Sequence, residues 1–254
     1  MHVAYKRTFA AKLAESVRKR RVRGARMIRR LLGRPTSFYQ CRYGGARFLV
    51  DLDDLVGYEI AIGRMEWREL ALMTDACRRL SPDVFLDVGA NIGLYSCVLG
   101  RNRLVPKILA FEPDRRNFAR LMQNLALNDL SDTVEARELA VGARAGKALL
   151  APAGNENRGL SKIASDGSGA YEVELVALDD IVPLQGRSIA IKIDVEDYEQ
   201  EVLTGAERLF RENFGFAQIE ARDDHLADAI ERRMTGFGWR FVERYQIDLR
   251  FERP

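Results

Sequence analysis

Long apolar runs are missing from this sequence. The longest stretch free of Asp, Glu, Lys and Arg runs from Val88 to Gly100, 13 residues that include three glycines and an asparagine, whereas a membrane span needs ~20 apolar residues. No transmembrane helix is expected. The charged N-terminus has no continuous apolar segment followed by a small-residue cleavage site, which argues against a secretory signal. Cysteine is scarce: Cys41, Cys77 and Cys97 are odd in number and widely spaced, a pattern that suits neither a disulfide framework nor a zinc site and points to a reducing cytoplasm. Histidine is scarcer, with His2 and His225 alone, and seven prolines in a chain that is 47% hydrophobic exclude a disordered or collagen-like polymer.

Net charge is nearly absent too, since 40 Lys+Arg against 37 Asp+Glu leave +3, and that sum by itself suggests no nucleic-acid partner. It hides a division. Lys6 to Arg34 holds 12 basic residues and one acid, Glu15, so this segment carries +11 and the other 225 residues carry −8. Phe9, Ala10, Leu13, Val17, Gly24, Met27, Ile28 and Leu31 fall on one helical face, interrupted by Arg20, and Gly33 and Pro35 stop the helix. Such a helix either lies on an anionic membrane surface or partner, or packs on the body with its arginines solvated. The first reading would place the protein in the cytoplasm, peripheral at the inner face of the membrane.

At 254 residues the length fits one large α/β domain with an extension. The divisions expected are a basic N-terminal helix over 1–35, a cap over 36–82 (a hairpin around Gly44 and Gly45, an acidic turn at Asp51, Asp53 and Asp54, then a helix over Glu66–Leu80), and the main domain over 83–254. In that domain short apolar runs alternate with amphipathic segments. Strands are expected at Val84–Val88, Lys107–Phe111, Val134–Val141, Ser188–Ile193 and Gly215–Ile219, and helices at Leu94–Gly100, Asp114–Leu127, Tyr198–Arg211 and His225–Gly236. Alternation of this kind predicts a mostly parallel sheet with helices on both faces. Lys147–Ala151 and Tyr171–Leu178 form a β-hairpin insertion after the third strand, joined by a loop from Gly154 to Gly169, and Trp239–Tyr245 with Ile247–Phe251 form a terminal strand pair.

Ligands of open parallel sheets sit at the carboxyl ends of the strands. The first strand ends in Asp87-Val88-Gly89-Ala90-Asn91-Ile92-Gly93, where glycine lets a ligand approach the backbone as a helix begins. The spacing differs from the GxGxxG of dinucleotide enzymes, and an acid at the strand end would repel a pyrophosphate. The second strand ends in Phe111-Glu112-Pro113, 25 residues after Asp87, where a carboxylate can accept from both ribose hydroxyls. Together these point to an adenosyl ligand with a positive centre. In the fourth strand Lys192, Asp194 and Glu196 share a face, and Glu220 ends the fifth strand with His225 five residues later. Asp194, Glu220 and His225 are candidates for the base, or orienting charge, that a hydroxyl nucleophile needs, although His225 equally suits a solvent-facing helix start. Lys192 reads as a salt-bridge partner of Asp194 or Glu220. Asp194, Glu196, Glu220 and His225 could also hold a divalent metal, which is not the favoured reading.

The stretch Phe85–Ser96, then Phe111-Glu112-Pro113-Asp114, Asn124–Asn128, Ala140-Val141-Gly142, Leu178-Asp179-Asp180-Ile181 and Ile191–Glu199 resembles the successive signatures of the FkbM family of S-adenosylmethionine-dependent O-methyltransferases, over roughly residues 58 to 222. The resemblance implies a class I methyltransferase fold and methyl transfer to a hydroxyl of a saccharide or glycolipid precursor, or of a polyketide-like metabolite. It implies that Asp87, Gly89, Asn91 and Gly93 line the methionine end of the cofactor, that Glu112 holds the ribose, and that Glu138 and Leu139 wall the base. The family usually has Gly where this chain has Asp197, which bears on the turn after Glu196 or adds a carboxylate on the acceptor side. The rivals are a nucleic-acid-binding protein using the arginine-rich tail, disfavoured by the acidic body, and an NAD-type oxidoreductase, disfavoured by Asp87 and the missing GxGxxG.

Overall fold

The computed structural model describes residues 38–154, 157–164 and 169–254. The basic segment Lys6–Arg34 and its expected helix lie outside them. The first element is a hairpin, β1 (Phe38–Tyr43) and β2 (Ala46–Asp51), joined at Gly44-Gly45 with φ of +57° and +89°. Two successive left-handed positions match the twist of a two-residue hairpin, and glycine takes them without strain. Alternation buries Cys41, Tyr43, Ala46, Phe48 and Val50 on one side.

The outer edge of β2 is closed by side chains rather than by a strand. Asn124 and Asn128, one turn apart on α4 (Arg115–Leu127) and its C-terminal cap, accept from the Leu49 and Arg47 N–H groups at 2.7 and 2.8 Å, and Asn128 returns a bond to the Arg47 carbonyl at 2.7 Å. Asn124 also donates to the Ile92 carbonyl at 2.8 Å, so one residue ties the hairpin to the turn after β3 (Val84–Val88). Between the hairpin and that strand lie α1 (Leu55–Ala61), capped by Asp54, and α2 (Trp67–Leu80). Helix α1 follows the expected acidic turn directly and was not foreseen; the Asp54 side chain accepts from Gly57 N–H at 3.2 Å and starts it.

The main sheet has seven strands. With β4 (Ile108–Phe111), β5 (Val134–Arg137), β10 (Ser188–Ile193), β11 (Phe214–Glu220), β12 (Arg240–Tyr245) and β13 (Asp248–Arg253), the order is β12-β13-β11-β10-β3-β4-β5. The run from β11 to β5 is parallel and β13 is antiparallel to both of its neighbours. The chain goes outward from β3 through β4 and β5, then returns to place β10 on the other side of β3. A crevice therefore opens beyond the carboxyl ends of β3 and β10.

Strand alternation divides the core. Phe85, Ile108, Ala110, Ala190 and Phe216 face the hairpin, α1, α2, α3 (Leu94–Arg101) and α4. Val84, Leu86, Val88, Leu109, Ile189, Ile191, Ile193 and Ile219 face α5 (Leu178–Ile181), α6 (Glu199–Thr204), α7 (Glu207–Glu212) and α8 (Asp224–Gly236). Each such side chain contributes ~1.5–3 kcal/mol by leaving water. Cys41, Cys77 and Cys97 are buried free thiols in the first layer.

Two expected elements break. The third strand ends at Arg137, and Ala140–Val141 (β6) joins a separate sheet, β6-β9-β7-β8, built with β7 (Gly146–Ala151), β8 (Lys162–Ile163) and β9 (Tyr171–Val176). The expected helix Tyr198–Arg211 is two helices, because a Cβ at Gly205 would stand 2.1 Å from the Gly142 carbonyl and the chain bends where it meets that turn. Asp179 restarts it, its two carboxylate oxygens accepting from the Arg208 and Leu209 N–H groups at 2.8 Å.

Candidate active site

The turn after β3 is latched to β4. Gly89 and Ala90 donate to the Phe111 carbonyl at 3.0 and 2.9 Å, and Asn91 donates to Glu112 Oε2 at 2.8 Å. The Asp114 N–H holds the other Glu112 oxygen at 2.8 Å. Burial pushes the Glu112 carboxyl up to about 8 despite these N–H groups, so the ionised form awaits further donors. Gly89 has φ +83° and its missing Cβ would stand 1.8 Å from the Asp194 carbonyl oxygen. The ends of β3 and β10 approach closely because that residue is glycine. Gly93, φ +86°, similarly admits the Leu121 side chain, whose Cδ1 would lie 2.5 Å from a Cβ there.

Two adjoining pockets open here. The first encloses about 570 Å³, mouth included, between Gly89, Asn91, Glu112, Asn117, Leu139 and Tyr198. The second, about 810 Å³, lies toward α1 and α2 and is lined by Leu55, Glu59, Glu66, Asp87, Lys192 and Glu220, among others. Gly89, Asn91, Gly159, Asp194 and Glu196 line both.

The wall of the second pocket is a buried ionic cluster. Lys192, 4% exposed, places Nζ 2.6 Å from Asp194 Oδ2 and 3.8 Å from Glu66 Oε2, over the Tyr95 ring. Tyr95 donates to Glu66 Oε2 at 2.8 Å, and Gln218 donates to Tyr95 Oη at 3.1 Å and to Asp248 at 3.0 Å. Burial alone would discharge Lys192, but Asp194, Glu66 and Asp248 hold its pKa above the ordinary lysine value. Burial lifts Asp194, yet the Lys192 ammonium outweighs it and leaves that carboxyl below its usual range. Glu220 is pushed up to about 10 by burial and by the Asp194 charge to which it is hydrogen-bonded, so near neutrality it is the donor of the carboxyl pair. Burial raises Glu66 to about 7, Lys192 opposing.

Several expected positions change meaning. Asp87 accepts from Ser96 Oγ at 2.6 Å and Ser96 N–H at 3.1 Å and faces the second pocket, not the first. Leu139 lines the first pocket, whereas Glu138 turns outward to Arg115 at 3.5 Å and lines neither. The break after Arg137 separates the two. His225 is exposed and lines neither pocket; α8 begins at Asp224 with Asp223 capping Leu226, and its inward face is Ala227, Ile230 and Met234. Among the described residues no group of three or more His, Cys, Asp or Glu could hold a metal ion; the Lys192 ammonium stands beside Asp194 and Glu66. Glu66 was not foreseen as a site residue. It caps α2 with a left-handed backbone, φ +43°, a conformation that costs a non-glycine residue energy and clusters at functional sites.

A family model described as the methyltransferase FkbM domain matches residues 87–242, more than half of the chain. The chain belongs to the FkbM family of S-adenosylmethionine-dependent methyltransferases. Methyltransferase sdnD of Sordaria araneosa is 30% identical over 195 residues, covering 63% of this chain and 75% of that protein. Hexuronic acid methyltransferase AglP of Haloferax volcanii is 28% identical over 145 residues, 56% of this chain and 58% of that one. The crystal structure of methyltransferase FkbM from Methylobacillus flagellatus KT superposes with TM-score 0.51 at 17% identity, covering 67% of this chain and 43% of that chain, a likeness of fold. The family's methyl donor suits the first pocket, which Asn91 lines and where the buried Asn91 Oδ1 has no partner. The glycine usual at position 197 is explained as well: Asp197 has φ +76°, a region that glycine enters freely and Asp tolerates.

Proposed function

We propose that this chain methylates a hydroxyl oxygen of a saccharide or glycoconjugate precursor. The observation that carries this reading is the junction of the two pockets at Gly89, Asn91, Asp194 and Glu196, which would bring donor and acceptor together beside ionisable carboxyls. S-adenosylmethionine, when bound, supplies an electrophilic methyl group. Gly89 and Asn91 form the floor for it, Glu112 accepts from its ribose, and Leu139 covers the base, while Gly93, which lines neither pocket, packs against Leu121 and lets the helix after the turn begin. Asp194, held ionised by Lys192, accepts a hydrogen bond from a neighbouring hydroxyl of the acceptor and so orients it, and Glu220 keeps Asp194 in place. Glu66, whose carboxyl titrates at about 7, takes the proton that the attacking hydroxyl loses, since a base works best with a pKa near the working pH.

The saccharide preference is supported by the AglP likeness, and the many carboxyl oxygens facing the second pocket suit a partner rich in O–H donors. A hydroxylated small metabolite of polyketide type is the second reading, supported by Leu55 and Leu160, half-exposed apolar side chains lining that pocket. Residues 6–34, with their +11 charge, would carry the enzyme from the cytoplasm to an anionic membrane surface bearing a lipid-linked acceptor. Among the described residues no helix is long and apolar enough to cross a membrane. The test is transfer of label from methyl-tritiated S-adenosylmethionine to saccharide acceptors, followed by alkali. Alkali-stable label lost in Asp194→Asn fits a methyl ether made at this site; alkali-labile label would mean a carboxyl ester and refute hydroxyl methylation.

A further inference from the structure

The second pocket has an excess of one charge, and this excess bears on which acceptor it can take. Its described lining contains six carboxyl groups, those of Glu59, Glu66, Asp87, Asp194, Glu196 and Glu220, of which Glu220 keeps its proton near neutrality, and one cation, Lys192. That cation is already engaged, 2.6 Å from Asp194 and 3.8 Å from Glu66. The nearby Arg222 guanidinium is also committed: it contacts Glu196 and lies 3.5 Å from both Glu220 and Asp197. No described lining residue is left to neutralise an incoming anion. The pocket is a site on independent grounds, because it opens into the donor pocket at Asp194 and Glu196.

We propose that the acceptor is an uncharged polyol, and that carboxylate-bearing sugars are rejected. The inference rests on the methyltransferase reading above and narrows it. An uncharged sugar offers hydroxyl protons to the carboxyl oxygens and forms hydrogen bonds to charged acceptors, the stronger kind. A uronate brings a further carboxylate beside Asp194 and Glu196 in the same partly desolvated space, where like charges a few ångströms apart repel by more than an ordinary hydrogen bond returns. Leu55 and Leu160, 46% and 48% exposed, leave apolar surface at this pocket for an aglycone. This chain thereby differs in acceptor charge from the hexuronic acid named for AglP, to which it is 28% identical.

The test uses the full chain saturated with S-adenosylhomocysteine, binding of which is first measured by calorimetry. Saturation-transfer NMR then compares p-nitrophenyl glycosides of glucose, galactose and mannose with p-nitrophenyl glucuronide and galacturonide. At least one uncharged glycoside should bind, with the matched uronide weaker by ~10-fold or more. The double variant Glu59→Gln/Glu196→Gln should narrow that gap. Equal or tighter uronide binding, or no binding by any uncharged glycoside while S-adenosylhomocysteine binds, overturns the inference and leaves the methyltransferase reading standing. Failure of S-adenosylhomocysteine itself to bind removes that reading and the inference with it.

Discussion

Substituting Gly89 by Ala adds one methyl group at the narrowest point of the site. The new Cβ would stand 1.8 Å from the Asp194 carbonyl oxygen and 3.6 Å from Val195, so the ends of β3 and β10 must part by more than an ångström. The Asp194 N–H bond to the Val88 carbonyl, 3.0 Å long, is the bond most exposed to that movement, and losing it costs ~1 kcal/mol. The left-handed backbone at φ +83° costs an alanine ~1–2 kcal/mol more. Together they predict ~2–3 kcal/mol of lost stability, a melting temperature several degrees lower, and S-adenosylhomocysteine affinity reduced at least ~10-fold. The control is Gly146→Ala, where a Cβ meets nothing within 4 Å. Differential scanning calorimetry and isothermal titration read both quantities. A Gly89→Ala protein that melts and binds like the wild type refutes the account of why β3 and β10 approach so closely.

Other outcomes follow from the same geometry. Glu66→Gln should slow methyl transfer ~100-fold and remove an inflection near pH 7 from the rate profile while leaving S-adenosylhomocysteine affinity unchanged; a retained inflection assigns the proton to another group. Asp197→Gly relieves a left-handed side chain but gives up contacts at 3.5 Å to Lys162 and Arg222, and glycine adds unfolded-state entropy, so chemical denaturation should show a change within ~1 kcal/mol. Glu112 at about 8, Glu66 and Glu199 at about 7 and Asp248 at about 6 lie above unfolded carboxyl values. The folded state therefore keeps protons that the unfolded chain has released, and the stability these groups give is lost as pH rises from about 5 to about 8. Melting of the ligand-free protein should fall over that interval, whereas Asp194 and Asp114, whose carboxyls lie below their usual range, act only below about pH 4; a rise between about pH 5 and 8 would refute the raised carboxyl values.

Much of this was legible because strand alternation and chemistry coincide. The runs Val84–Val88 and Ser188–Ile193 read as strands from their apolar content, and both are strands of the parallel sheet. Where tertiary contact decides, sequence pattern fell short. The break at Gly205 arises from a carbonyl 63 residues earlier, Gly142, and the end of β5 at Arg137 reflects a second sheet whose partner, β9, lies more than thirty residues downstream. The same holds for the site. Asp194 and Glu220 end adjacent strands and could be paired on paper, whereas Glu66 reaches them only because α2 packs across the sheet, and nothing local distinguishes it from a helix-starting acid. His225 drew attention through rarity alone, and its place on the outer face of α8 follows from which residues that helix buries.

The most direct test of the central claim is a calorimetric titration with S-adenosylhomocysteine of the wild type and of Glu112→Ala, with NAD as the negative control. Saturable binding of S-adenosylhomocysteine and none of NAD is predicted. A loss of ~10-fold or more in Glu112→Ala should follow, as expected when a carboxylate holding two hydroxyls is removed. Undiminished affinity in the variant, or no binding by the wild type, would contradict the placement of the cofactor at the ends of β3 and β4.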